Sequence, residues 1–255
     1  MNSLSGEAVC AAVRRRTVGQ RFPSPLEVMM SRAIRRRLPA LVVLPLAAGL
    51  IGAVAQTAPP GGNPLALTYT APDAARGQAL AGQRECASCH GGGLVTTYPG
   101  LPSLAGQQPS YLRLQLAAFR AKLRPNDTMQ KVAADLKDQD IADLAAYAAT
   151  LTPGPAWKAD DALRAKGMAL FMAGDGKRNL MACVICHGAN GRGDDRLGVA
   201  SITNLAPEYA QRVLHEFKDA PGFPIPHPDA MRIVLKDYTQ ADLDAMVAYI
   251  SSMTP

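Results

Sequence analysis

Apolar residues recur at helical spacing along most of the chain, whereas the alternation expected of β-strands is nearly absent. Final helices are predicted over 137–151 and 239–253, and both begin with acidic residues that suit the positive end of a helix dipole. Middle helices are predicted from Pro109 and from Pro207. The pattern therefore predicts an all-helical protein.

These elements belong to one unit that occurs twice. The segment Ala75 to Gly82 matches Ala165 to Gly174, and the 18-residue interval from Met129 to Tyr147 recurs from Met231 to Tyr249. Between the copies, "LTPGPAW" contains two prolines and a glycine, which predicts a linker. We divide this part of the chain into a linker, a first unit, a second linker and a second unit, at 56–71, 72–152, 153–159 and 160–255.

The N-terminal segment has the composition of an export signal. Arg35 to Arg37 precede an apolar stretch, Leu38 to Val54, which ends on small residues. We predict a leader over 1–55 that is cleaved after Ala55, and the alternative is retention of the apolar stretch as a membrane anchor. A start codon after 1–28 is the alternative to an unusually long leader.

The formal charge of +6 is confined to this leader. Residues 1–55 hold eight of the 27 basic and two of the 21 acidic residues, which leaves 19 of each in the rest. A body with no net charge and no basic run has little attraction for phosphate backbones, which argues against nucleic-acid binding.

Each unit carries one CxxCH motif, Cys86 to His90 and Cys183 to His187. In an exported chain this motif is the attachment signal of a c-type haem, whose iron the adjacent histidine ligates. Units of about 80–95 residues have a small core of their own, which a buried porphyrin would complete. The sequence therefore predicts two covalent haems, attached through Cys86, Cys89, Cys183 and Cys186, with His90 and His187 as iron ligands.

Two other chemistries use paired cysteines. Zinc ribbons place about 15–20 residues between their CxxC pairs, whereas 93 separate Cys89 from Cys183. A thioredoxin-like redox pair requires a βαβ setting that a helical chain lacks. Both are disfavoured, because a histidine follows each pair.

The second axial ligand decides between electron transfer and catalysis, since two strong protein ligands leave substrate no place on the iron. Met129 is the only methionine of the first unit and lies in a predicted loop, 39 residues after His90. Met231 is its repeat partner, 44 residues after His187. We predict both as ligands, with His227 as the competitor at the second iron.

The chain resembles the cytochrome c4 family, periplasmic proteins with two class I cytochrome c domains, over about Ala71 to Thr254. "LPSLAGQQPSYLRLQLAAFR" resembles the family's Pro-x-Leu-x-Gly-Gln segment. The resemblance implies that the Pro102 carbonyl accepts a hydrogen bond from His90. It also implies that Gly77 and Gly167 let the first helix of each unit approach the tyrosines of the final helix.

In the second unit the segment "ASITNLAPEY" departs from this pattern. Thr203 is expected at the proline position, after a deletion of three residues, and the Gly-Gln pair is missing. The sequence therefore does not predict which group orients His187.

The resemblance implies an all-α fold of two tandem cytochrome c domains and a periplasmic electron carrier rather than an enzyme. Its donor would be a quinol-oxidising complex or a dehydrogenase, and its acceptor a terminal oxidase such as a haem–copper oxidase. The alternatives are a haem subunit of a membrane dehydrogenase or oxidase, and a dihaem peroxidase or thiosulfate-oxidising cytochrome.

Overall fold

A computed structural model describes residues 63–219 and 226–254, without the side chains of 226–228. The described residues belong to one compact unit, and the predicted leader lies outside them. The helices of the first repeat are α1 (Ala74–Gln83), α2 (Ala87–His90), α3 (Pro109–Arg120), α4 (Asp127–Ala133) and α5 (Asp138–Thr150). Those of the second are α6 (Asp161–Ala173), α7 (Val184–His187), α8 (Pro207–Asp219), α9 (Pro226–Leu235) and α10 (Gln240–Ser252).

The all-helical prediction is confirmed. Across 63–219 and 226–254, extended pairing is limited to two isolated bridges, Asp175 with Leu180 and Asp194 with Val199. The middle helices α3 and α8 begin at the two prolines predicted, and α5 and α10 lie within the two predicted final helices.

The first and last helices of each repeat form its closest packed pair, α1 with α5 and α6 with α10. A Cβ atom on Gly77 would overlap the carbonyl group of Asp143, and one on Gly167 would overlap that of Ala245. The helices therefore approach at these glycines more closely than any larger residue would allow. At both glycines the nearest atoms are those of a backbone carbonyl group in the final helix. The Cβ of Tyr147 or Tyr249, the tyrosines that the resemblance implied, lies slightly farther away.

Side chains at the starts of the final helices explain why these helices begin where they do. The Asp140 carboxylate accepts a hydrogen bond from the Lys137 backbone at 2.9 Å. In the second repeat, Thr239 and Asp242 form a reciprocal capping box, with Asp242 accepting from the Thr239 backbone at 3.0 Å. Such bonds satisfy backbone N–H groups that a helix start would otherwise leave unpaired.

The two methionines do not lie in loops as predicted. Met129 lies in α4 and Met231 in α9. The Asn126 side chain accepts a hydrogen bond from the Met129 backbone at 2.9 Å and so caps a short helix that proline and polar residues had suggested was a loop.

The two repeats meet through the starts of their middle helices. The Ser110 backbone donates to the carboxylate of Asp195 at 2.7 Å, so α3 begins against the second repeat. The Tyr209 backbone donates to the Pro99 carbonyl at 2.8 Å, so α8 begins against the first. The unpaired N–H groups of each helix start thus find partners in the other repeat.

Candidate functional site

The CxxCH motifs form the short helices α2 and α7. The His90 backbone donates to the Cys86 carbonyl at 3.0 Å, and the His187 backbone donates to the Cys183 carbonyl at 3.0 Å. One helical turn therefore brings the first cysteine and the histidine of each motif together. Each turn ends at a glycine with positive φ, Gly91 in one repeat and Gly188 in the other.

The four cysteines of the CxxCH motifs have two different environments. Cys86 and Cys183 are half-buried, whereas Cys89 and Cys186 are exposed. Burial raises the pKa of Cys86 and raises the pKa of Cys183 to about 11. Cysteines of thiol–disulfide redox sites instead have lowered pKa values that favour the thiolate. The environment of the two half-buried thiols therefore gives no support to a thiol redox function.

Both motif histidines are buried and held by a backbone carbonyl. Nδ1 of His90 lies 2.8 Å from the Pro102 oxygen, and Nδ1 of His187 lies 3.0 Å from the Ala200 oxygen. Because a carbonyl can only accept, Nδ1 carries the proton and Nε2 keeps its lone pair. Burial lowers the pKa of both imidazoles. Each histidine is therefore a neutral tautomer whose Nε2 has the lone pair that a metal ligand needs.

The placement of Thr203 at the proline position was wrong. Ala200 provides the carbonyl, and Ala200 to Tyr209 has the same length as Pro102 to Tyr111, so no residues are deleted between these positions. Asn204 has a φ of 45° where Gly106 has 70°, so the loop keeps its shape. The sequence concealed this match because any residue can offer a carbonyl.

Each repeat has a cavity that collects its predicted site residues. A cavity of about 400 Å³ in the first repeat is lined by Cys86, Cys89, His90, Pro102 and Met129. A cavity of about 230 Å³ in the second is lined by Cys183, Cys186, His187, Ala200 and Met231. The structure thus gathers two separate sets of thiols, imidazole and thioether, one for each repeat.

The two methionine assignments differ in how many competitors they have. Met129 is the only methionine that lines the first cavity within the described residues. The second cavity is also lined by Met181 and Met246. Of these three methionines, Met231 is the one equivalent to Met129 in the repeat. The side chain of His227, the competing ligand, lies outside the described residues.

The two cavities share a wall that no motif in the sequence predicted. Tyr111 and Tyr209, which are equivalent in the two repeats, line both cavities. Arg124 lines the first cavity, where its guanidinium lies 4.9 Å from the Phe119 ring centre and donates to Gln115 at 2.8 Å. In the described part of the chain, no carboxylate lies within ion-pair distance of Arg124.

Comparison with known proteins accounts for both repeats. The family model described as Cytochrome c matches residues 74–152 and again 165–254. A cytochrome c4 of Pseudomonas aeruginosa is 31% identical over 187 residues, which cover 73% of this chain and 92% of the relative. The chain belongs to the cytochrome c4 family.

A solved structure agrees with this membership. Reduced recombinant cytochrome c4 from Pseudomonas stutzeri matches with a TM-score of 0.66 and 29% identity, over 72% of this chain and all of that one. The chain therefore has the fold of two tandem cytochrome c domains, and it is a c4-like dihaem electron carrier rather than an enzyme.

A relative with a more specific name is also similar. A thiosulfate dehydrogenase electron acceptor of Stutzerimonas stutzeri is 39% identical over 132 residues, which cover 49% of this chain and 58% of that protein.

Proposed function

We propose that this cytochrome c4 homologue carries single electrons in the periplasm through one haem c in each repeat. The first haem is attached to Cys86 and Cys89, and its iron is ligated by His90 and Met129. The second is attached to Cys183 and Cys186, with His187 and Met231 as ligands. The observation that carries this proposal is the meeting of a thiol pair, a neutral imidazole and a methionine at each cavity.

The residues present fit a porphyrin in three respects. The cavities lie beside apolar core residues, such as Leu94 and Leu112 in the first repeat. The exposed Cys89 and Cys186 place one edge of each site at the surface, where electrons can enter and leave. Among the described residues, no carboxylate pairs with Arg124, so its guanidinium is available to the anionic groups of the porphyrin.

Ligation by histidine and methionine favours electron transfer over substrate chemistry. When bound, each haem would supply an iron that changes between ferrous and ferric, and ligation by a histidine and a methionine would leave no position on it for substrate. The residues of the chain hold the imidazole through the Pro102 and Ala200 carbonyls and exclude water with apolar walls. The wall shared by the cavities supports electron exchange between the two haems.

The partners are proposed from the family and from one relative. The donor is a quinol-oxidising complex or a dehydrogenase, and the acceptor is a terminal oxidase such as a haem–copper oxidase. The similarity to a thiosulfate dehydrogenase electron acceptor favours a thiosulfate dehydrogenase as the alternative donor. Rates of reduction by a purified quinol-oxidising complex and by a purified thiosulfate dehydrogenase, measured by stopped-flow absorbance, distinguish these two donors.

The predicted leader supports export to the periplasm. Within the described residues, no helix has the length and apolar character needed to cross a membrane. Intact mass of the protein from soluble and membrane fractions tests the alternative of a retained anchor, because cleavage after Ala55 gives a chain that begins at Gln56.

Haem content tests the proposal as a whole. The pyridine haemochrome assay on exported protein should give two haems per chain. Replacement of both cysteines of one motif by serine, in either repeat, should leave one haem. A wild-type value below two would contradict the proposal.

A further inference from the structure

Gln107 of the first repeat forms a reciprocal pair of hydrogen bonds with the backbone of Ser201 in the second. Its Nε2 donates to the Ser201 carbonyl at 2.8 Å, and its Oε1 accepts from the Ser201 N–H at 2.7 Å. The side-chain amide thus pairs with Ser201 as a neighbouring peptide group would in a sheet. The contact joins residues that are 94 positions apart.

The orientation of this amide is fixed from its own side as well. Oε1 of Gln107 also accepts from the Gln108 N–H at 2.8 Å, so the oxygen faces two donors and the nitrogen faces a carbonyl. A flipped amide would place its NH₂ group against both donors. Gln107 is only 9% exposed, and water is therefore poorly placed to replace these bonds.

Ser201 directly follows the residue that orients His187. The Ala200 carbonyl contacts Nδ1 of His187 at 3.0 Å, and the Ile202 N–H donates to the Gly191 carbonyl at 2.8 Å. The three consecutive residues 200–202 are therefore held in turn by the His187 imidazole, by Gln107 and by Gly191. Among these partners, only Gln107 belongs to the other repeat.

Within the part of the chain that the structure describes, the first repeat supports its own histidine without such a partner. There Ser103, which follows Pro102, accepts a hydrogen bond from the Thr96 N–H through its side chain at 3.1 Å. Leu205 occupies the position equivalent to Gln107, and its side chain has no amide group. The side-chain amide of the first repeat therefore supports the second repeat, and the second repeat has no equivalent group at this position.

We propose that Gln107 is a positioning residue that holds the Ala200 carbonyl against His187 and thereby lowers the reduction potential of the second haem. The inference rests on the proposed function, because it requires iron ligated by His187. A hydrogen bond from Nδ1–H to a well-placed carbonyl makes the imidazole a stronger donor. A stronger donor favours the ferric state, and loosening the carbonyl should raise the potential.

The test compares two replacements at neighbouring interface positions. Gln107→Met keeps the length of the side chain and removes its hydrogen bonds with Ser201. Gln108→Met is the interface control, because Gln108 donates to the Arg192 carbonyl of the second repeat at 2.6 Å. Gln107 lines the second cavity and Gln108 does not, so the exchange rate of the His187 Nδ1 proton is needed to separate a loosened carbonyl from a change in cavity polarity. Redox titration of the full dihaem protein should resolve two components, and Met231→His marks the second-site component by lowering its potential.

In Gln107→Met, we expect the second-site component to rise while the first-site component stays in place. Gln108→Met should leave both components unchanged, even if it weakens the interface equally. In the wild type, a side-chain amide proton of Gln107 and the Nδ1 proton of His187 should both exchange slowly with water. In Gln107→Met the His187 proton should exchange faster.

Four outcomes would overturn the inference. Two concern the second-site potential: it is unchanged in Gln107→Met, or it shifts by the same amount in Gln107→Met and Gln108→Met. Two concern exchange: the Gln107 amide protons exchange rapidly in the wild type, or the His187 Nδ1 proton exchanges no faster in Gln107→Met than in the wild type. A failure of the proposed function is distinguishable, because the wild type would then contain fewer than two haems before any variant is made.

Discussion

The Nδ1 atom of His187 lies 3.0 Å from the Ala200 carbonyl oxygen, in the same relation that joins His90 to Pro102. The acceptor is a backbone group in both repeats, although the residue that provides it differs. The feature that the two sites share is therefore the position of a carbonyl, and a proline is not required for it.

This relation predicts that Pro102→Ala preserves the first haem site. The alanine retains the carbonyl, and Ala200 already provides the contact in the second repeat. Loss of the proline should lower the free energy of unfolding by about 0.4–1 kcal/mol, chiefly because the unfolded chain gains freedom. Urea unfolding and the visible spectrum measure the two effects. A first site that loses its methionine ligation in Pro102→Ala would contradict the prediction.

Much of the fold was predictable because it depends on local patterns. Pro109 and Pro207 marked the starts of the middle helices, and acidic residues marked those of the final helices. The CxxCH motifs identified the thiols and the histidines, and the structure places those of each motif at one cavity. In each case the determining groups lie within a few residues of one another.

The remainder depends on contacts that residue types do not encode. The role of Ala200 was missed because every residue has a carbonyl, and only the path of the chain selects this one. The contact of Gln107 with Ser201 spans the two repeats and has no periodic signal. The loop predicted around Met129 is a helix because Asn126 caps it, a local signal that the nearby proline obscured.

Replacement of either predicted methionine ligand should alter one haem and leave the other intact. Oxidised iron ligated by a thioether has a weak near-infrared band, and we expect Met129→Ala and Met231→Ala each to remove about half of it. Met246→Leu is the matched control, because Met246 lines the second cavity as well. Its band should be unchanged.

An intact band in Met231→Ala, together with a reduced band in Met246→Leu, would assign the second ligand to Met246. An intact band in both variants would mean either that Met181, which also lines this cavity, is the ligand or that the second iron has no thioether ligand. Met129→Ala distinguishes the two, because it removes half of the band in the first case and the whole band in the second.

Replacement of Gly77 by alanine should destabilise the first repeat. The new Cβ would overlap the Asp143 carbonyl, and separating α1 from α5 should cost about 1–3 kcal/mol. Gly82→Ala in the same helix is the control, since a Cβ added there would meet no neighbouring atom within 4 Å. That variant should be more stable by about 0.5–1 kcal/mol. Thermal unfolding measures both, and equal effects would disprove the close-packing explanation.

Protonation of Asp143 should destabilise the protein in acid. Burial alone would raise the pKa of this carboxyl, but hydrogen bonds from Arg76, the Asp73 backbone and Gln139 lower it below the ordinary value. A lowered pKa means that the native state binds the proton less readily than the unfolded chain. The stabilisation is therefore complete above a pH of about 4 and is lost as the pH falls through the lowered pKa.

We expect Asp143→Asn to lower the free energy of unfolding by about 2 kcal/mol at pH 7, because bonds to a charged group are lost. The difference from the wild type should shrink as the pH falls below about 4. Asp135→Asn is the control, since the Asp135 side chain is 68% exposed and its ion pair with Arg84 should contribute little. Urea unfolding at pH 7 and at pH 3 measures both variants. If the Asp143 difference is independent of pH, its charge does not contribute and its role is packing alone.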